Sequence, residues 1–289
     1  MNVLATYNLD GELTGLIVNV PSPSQQLEHE FLISADWWYE TRRKLRDTFG
    51  SDLYILPQCS AAGELTTHLL YDREAQERML KLMGRTKLEE IAHRIHDSVA
   101  EVLPAIHQSI SYNPVFSHCV DYVELPLNRL TEDDARQSRA EAERLRVEYE
   151  RELKRLDDDP ALKDEPRWYV PVTTVFRQMN WHMGVVNRYE LKKSALVDHV
   201  EIHTIRIGDI AIATNPFECY LDYGIQIKVN SSATQTFLVQ LAGSGTYLPS
   251  PRSVRGGGYG SVPASNPVGP EGGQKLAEHT ISAIAALWK

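Results

Sequence analysis

The sequence predicts an α/β fold with mixed, largely parallel sheets flanked by helices and a charged helical insertion. Three observations predict it. A strand-like run at residues 16–20, a helix-like stretch ending at Phe49 and a second strand-like run at residues 52–56 follow one another in the order of a βαβ unit, whose crossover is right-handed. Residues 86–107 carry Ile91, Ile95, Val99, Val102 and Ile106 at three- to four-residue spacing, the apolar stripe of a helix packed on one side. Short apolar runs then recur at residues 199–207, 210–214 and 235–241, all of strand length.

The elements follow in order. Residues 4–7 and 16–20 form a hairpin through Asp10-Gly11. Pro21-Ser22-Pro23-Ser24 breaks the second strand. Ser34 or Asp36 caps a helix that buries Trp37, Leu45 and Phe49 and stops at Gly50. Helices are expected over residues 71–83 and 86–107, and a strand over 116–125. Residues 131–159 hold 11 acidic and 7 basic side chains, with Arg139/Glu143, Arg144/Glu148 and Glu150/Lys154 spaced as i,i+4 pairs. Leu145, Tyr149, Leu153 and Leu156 give this helix one narrow apolar stripe. It suits one-sided packing on the domain better than a coiled coil, because it spans under two heptads. Residues 160–171 read as a linker and 172–188 as a helix. Gly208-Asp209 makes a turn, Asn215-Pro216-Phe217-Glu218 starts a helix, and residues 271–288 close the chain as another. The expected organisation is a single domain over 1–289 with a helical insertion at 129–165 and a Gly-rich site loop at 243–273. That loop holds 9 of the 17 glycines and 5 of the 15 prolines, yet carries Tyr247, Arg252, Arg255 and Tyr259; the aromatics and arginines argue for an ordered site loop.

Composition excludes several classes. The formal charge of −9, from 30 basic and 39 acidic side chains, lacks the basic surplus by which nucleic-acid binders neutralise phosphate. No apolar run approaches the roughly 18–20 residues of a transmembrane segment. Cys59, Cys119 and Cys219 lie far apart and make neither a disulfide framework nor a thiolate zinc site. No phosphate-binding glycine motif follows a strand. The first residues show no signal peptide.

In α/β sheets the ligand site lies beyond the carboxyl ends of the strands. The segments there are residues 21–25, 58–68, 215–218 and the Gly-rich loop; on a shared sheet direction they meet in one cleft. Glu218, read at a helix start, suits a metal ligand or general base, or simply complements the helix dipole. Tyr247 and Tyr259 suit oxyanion donors or loop packing. Thr66, Thr67 and His68 offer a hydroxyl nucleophile and a base, or a helix N-cap. His93 and His96 share a helix face that reads as exposed, and His199 and His203 share a face of one strand that reads as solvated; neither pair has a third ligand near in sequence.

Taken together, the segments Ile207-Gly208-Asp209-Ile210-Ala211, Asn215-Pro216-Phe217-Glu218, Gly245-Thr246-Tyr247-Leu248-Pro249 and Gly258-Tyr259-Gly260 resemble the catalytic N-terminal domain of the neutral/alkaline, non-lysosomal ceramidases. The resemblance covers roughly residues 15–70 and 199–275 in the same order, and implies a zinc-dependent amidohydrolase that cleaves the N-acyl amide bond of a sphingolipid-like substrate. It implies Glu218 and Tyr247 as zinc ligands and Tyr259 as a second active-site tyrosine. Gly63-Glu64-Leu65-Thr66-Thr67 is similar to the motif that carries the family's nucleophilic serine, with Thr66 in its place. Ser22 stands where the family has a zinc-binding His, and the family's other zinc His falls before Met1. Arg252 and Arg255 are assigned to a polar head group from their loop position.

The expectation is thus a ceramidase-like hydrolase of lipid metabolism, divergent and lacking the family's N-terminal segment, with zinc as cofactor and a small-molecule or lipid amide as substrate. If that segment is missing, the resemblance implies a secreted or periplasmic protein. A homo-oligomer is compatible with the sequence. The alternatives are a catalytically inactive ligand-binding or subunit protein with an incomplete metal site, and an unrelated α/β hydrolase using Thr66 and His68.

Overall fold

The computed structural model describes residues 1–191 and 197–289. Two compact units are distinguished. The first comprises Met1–Val123, Val200–Gly245 and Leu276–Lys289, and the second Glu124–His199 and Thr246–Lys275.

The first unit opens with the expected hairpin, β1 (Asn2–Tyr7) antiparallel to β2 (Leu13–Val20). The crossover helix α1 (Trp37–Phe49) returns the chain to β3 (Tyr54–Cys59), which pairs with β2 in parallel. Asp36 caps α1 by accepting from the Trp37 backbone N–H at 2.8 Å. Helices α2 (Arg73–Met83) and α3 (Lys87–His107) follow, and Thr86 with Glu89 forms a capping box at the start of α3. Of the expected α3 stripe, Ile95 and Val99 are buried and Ile91 and Ile106 lie at the core's margin, whereas Val102 is exposed and the neighbouring Leu103 is buried instead. Ile95, Val99 and Leu103 pack with Val3, Leu16, Val18, Trp37, Trp38 and Leu45 into one core, with Phe49 at its margin.

A second sheet has the order β4 (Phe116–Pro126), β5 (Val197–Ile207), β6 (Ile210–Thr214), β8 (Gln235–Val239). β5 and β6 are an antiparallel hairpin turned at Gly208, whose φ of 63° lies in the left-handed region that glycine enters without steric cost. β6 and β8 run parallel, and helix α6 (Leu221–Val229) lies between them in the chain. The sheets are therefore mixed, each combining parallel with antiparallel pairing, and helices flank them.

Residues 160–171, expected as a linker, carry a 3-10 helix at Pro160–Asp164 and the start of a helix at Val170, and a second expectation fails beside the strand ends. The segment at Asn215-Pro216-Phe217-Glu218 does not start a helix. Glu218 and Cys219 form a short extended element, β7, and α6 begins at Leu221. Pro216 favours a helix start as readily as a loop. Here the Asn215, Leu241 and Ala242 backbone N–H groups bond to Val239, Phe217 and Asn215 carbonyls and hold the segment extended.

In the second unit, α4 (Glu132–Asp158) is the charged helix. It packs on α5 (Val170–Glu190): of the expected stripe Leu145 and Leu156 are buried and the Tyr149 ring lies 5.4 Å from that of Phe176, whereas Leu153 is exposed; Ala142 is buried with Val172, Val175, Val185 and Val186. Arg144 makes the expected pair with Glu148, but Arg139 pairs with Glu190 and Lys154 with Asp158. The Gly-rich segment folds into β9 (Tyr247–Leu248), the short helix α7 (Pro251–Gly256) and a 3-10 turn at Tyr259–Ser261. Asn266, fully buried, organises this segment. Its side-chain amide donates to the Gly260 and Val262 carbonyls, at 3.1 and 2.8 Å, and its oxygen accepts from Asn128 at 2.7 Å. The closing helix α8 spans Pro270–Ala286. No helix among the described residues is long and apolar enough to cross a membrane.

Candidate functional site

The parallel pairings bring the carboxyl ends of β2, β3, β6 and β8 to one locus in the first unit, and Gln240 sits at its centre. Its Oε1 accepts from the backbone N–H groups of Ala62 and Cys219, each at 3.1 Å, and its Nε2 approaches the Cys59 thiol at 3.3 Å. Its own N–H donates to the Cys59 carbonyl at 3.1 Å. The Cys59 thiol in turn donates to the Ser22 carbonyl at 3.4 Å, and Asn19 donates to the Leu238 carbonyl at 2.6 Å. One buried amide side chain thus ties the β3 loop, the β7 segment and the end of β8.

Gly63 lets two of these segments touch. Its N–H donates to the Cys219 carbonyl at 2.9 Å, and a Cβ at this position would lie 2.2 Å from the Glu218 carbonyl oxygen. Gly245 permits a similar approach by the chain at Pro216, where a Cβ would lie 2.2 Å from the Pro216 carbonyl oxygen. Glu64 follows Gly63, and its two carboxylate oxygens accept from the Leu221 N–H at 3.0 and 2.9 Å. The carboxylate at the start of α6 is therefore Glu64, where the sequence had suggested Glu218.

The expected site residues distribute as follows. Thr66 and Glu218 belong to the first unit, and Tyr247, Arg252, Arg255 and Tyr259 to the second. Glu218 is half-buried, and its carboxylate adds to the burial that pushes the Cys59 thiol pKa up. Thr66 is exposed, and its hydroxyl accepts from the His68 N–H at 3.2 Å. This is a hydroxyl-closed turn and not a helix N-cap, since α2 begins only at Arg73. Beside it, the Thr67 hydroxyl is buried with no hydrogen-bond partner among the described residues. In the second unit, Tyr247 is half-buried and Tyr259 exposed; their rings meet edge to face at 5.8 Å, and Tyr259 also meets Trp181 at 6.1 Å. Arg252 and Arg255 are exposed on α7.

His68 does not present its ring to Thr66 as a base. Its Nε2 lies 3.0 Å from the Gln25 carbonyl oxygen and 3.1 Å from Glu28 Oε1, and its Nδ1 lies 3.3 Å from the Gln26 amide. Glu28, His29 and His68 gather one donor atom each within 4.8 Å of one another. Sequence reading missed Glu28 and His29, because about 40 positions separate them from His68; an adjacent Glu-His after a strand end was the available signal.

His93 and His96 do not form the exposed face expected of them. His96 bonds Thr48 and Asp97, each at 2.9 Å, and stacks on Phe49, while His93 pairs with Asp97. His203 pairs across the sheet with His118 at 2.9 Å and with Glu201 at 3.1 Å.

No family model and no curated protein matches the sequence. Among solved structures, the chain is similar to the neutral ceramidase from Pseudomonas aeruginosa. The TM-score is 0.60 at 14% identity, covering 99% of this chain and 46% of that one. It is equally similar to a structure described as ceramidase complexed with C2, at TM-score 0.60 and 14% identity, covering 99% of this chain and 47% of that one. The fold is ceramidase-like, and the chain spans about half the length of these neighbours.

Proposed function

We propose that this chain is a ceramidase-like hydrolase that cleaves an N-acyl amide bond of a small-molecule or lipid substrate. The observation that carries the reading is the convergence of the β2, β3 and β8 ends and the β7 segment on Gln240, in a chain of ceramidase-like fold. Strand ends that meet this way are where α/β sheets bind ligands.

In this reading the Thr66 hydroxyl adds to the amide carbonyl carbon, its proton passes to the leaving nitrogen, and water then releases the acid. Oxyanion stabilisation for Tyr259 and head-group binding for Arg252 and Arg255 are the roles that the resemblance and the loop position give to these residues of the second unit. The zinc implied by the resemblance is a separate matter. Of the positions it names, Glu218 offers a carboxylate, Tyr247 a phenol and Ser22 a hydroxyl, which lies 3.5 Å from the Pro23 carbonyl oxygen. Catalytic zinc takes three protein donors, drawn from imidazole, thiolate and carboxylate, plus a water. That set does not fit zinc.

The same observation supports a second reading, a catalytically inactive ligand-binding protein on this fold. The test is turnover of a fluorogenic N-acyl amide by the purified chain, with Thr66→Ala as control. Hydrolysis reduced about a hundredfold or more in Thr66→Ala upholds the first reading. Saturable binding of the amide with no turnover replaces it with the second.

A further inference from the structure

We propose that Glu28, His29 and His68 form a binding site for a divalent transition-metal ion of the zinc class. The inference stands on the first unit alone and goes beyond the hydrolase reading. Two imidazoles and one carboxylate are a donor set zinc accepts, leaving a fourth position for water. The spacing fits as well. Donors about 2.0–2.1 Å from one tetrahedral ion lie about 3.4 Å apart. Glu28 Oε1 lies 3.1 Å from His68 Nε2 and 3.6 Å from His29 Nε2. The two imidazole rings stack at 6.0 Å, inclined by 21°.

The donors are held by groups behind them. Leu27, next to Glu28, donates its N–H at 2.8 Å to Oδ2 of Asp36, the buried cap of α1. On the other loop, Leu65 donates to the Ala62 carbonyl at 2.9 Å, and Ala62 is fixed by Gln240. The Gln26 amide stands at His68 Nδ1, at 3.3 Å. Turned so that its oxygen faces the ring, it accepts the Nδ1 proton, and Nε2 gives up its proton and its 3.0 Å contact with the Gln25 carbonyl oxygen to take the ion, the usual arrangement behind a metal-bound imidazole. A bound ion joins residues 28–29, between β2 and α1, to residue 68, between β3 and α2.

The test is titration of the metal-stripped full chain with zinc chloride by calorimetry, and with cobalt(II) followed by its visible absorption. One equivalent is expected to bind, with affinity at least about tenfold weaker in His29→Gln and in His68→Gln. His29 is the more telling variant, because its side chain is 86% exposed and its loss leaves the loop packing in place. A zinc-dependent rise in melting temperature that is lost in His29→Gln supports the site independently of enzymatic activity. No saturable binding, or unchanged affinity in both variants, overturns it. Binding that survives in His29→Gln and disappears in Glu218→Gln also overturns it, and returns the metal to the position implied by the ceramidase resemblance.

Discussion

The Glu64 carboxylate closes the amino terminus of α6, both oxygens accepting from the Leu221 N–H across 157 positions of sequence. A carboxylate here satisfies an orphan donor and complements the helix dipole. Glu64→Ala is expected to cost about 1–2 kcal/mol of unfolding free energy, and Glu64→Gln less. Urea denaturation read by circular dichroism checks both.

Gly63 is required by the close passage of Glu218. A Cβ there meets the Glu218 carbonyl carbon at 2.7 Å and the Tyr220 ring at 2.9 Å, as well as the carbonyl oxygen. These are backbone and buried atoms that have nowhere to move. Gly63→Ala is expected to lower stability by about 2–3 kcal/mol, while Gly256→Ala, in open space, changes it little. Paired thermal melts decide the comparison.

Asn266 holds the Gly-rich segment of the second unit. Asn266→Ala leaves the Gly260 and Val262 carbonyls without their donor. The expected loss is about 2–3 kcal/mol, larger than for a surface amide. Limited proteolysis is expected to cut the 243–273 segment first in this variant, and equal cleavage in the parent protein would count against the role assigned to Asn266.

Cys219 gives the protein an alkaline limit. Burial, helped by the Glu64 carboxylate, pushes its thiol from 9.0 up to about 12. The unfolded chain then loses this proton first, so stability is fully present below about pH 9 and declines as pH rises towards 12, by at most about 1.4 kcal/mol per pH unit. Burial raises Tyr223 in the same direction. Cys219→Ala is expected to lessen the decline between pH 9 and 10, the remainder coming from the Cys59 thiol, which burial raises in the same direction. Denaturation midpoints across that window, with native-state alkylation of Cys219 expected to be negligible, provide the check.

What was legible in the sequence was local. The hairpin at Asp10-Gly11, the capped start of α1 at Asp36, the α3 stripe and the hairpin at Gly208 each depend on residues within a few positions of one another. Glu218 was misplaced in a helix because Asn-Pro suits a helix start equally well. The bonds that make the segment extended come from Val239 and Leu241, more than twenty positions away. Thr66, Tyr247 and Tyr259 stand out by their place beyond strand ends and by resemblance of segments, both of which say where a residue falls in the chain but not what its side chain meets.

By itself the sequence determined the α/β class, the order of its elements and the strand ends where polar and small residues gather, because periodicity and turn chemistry act over one or two turns of chain. Only the tertiary structure decided that Gln240 joins those strand ends, that Glu64 rather than Glu218 caps α6, and that His68 turns towards Glu28 and His29. Each of those contacts is made by residues that the fold alone brings within hydrogen-bonding distance, and no local propensity encodes them.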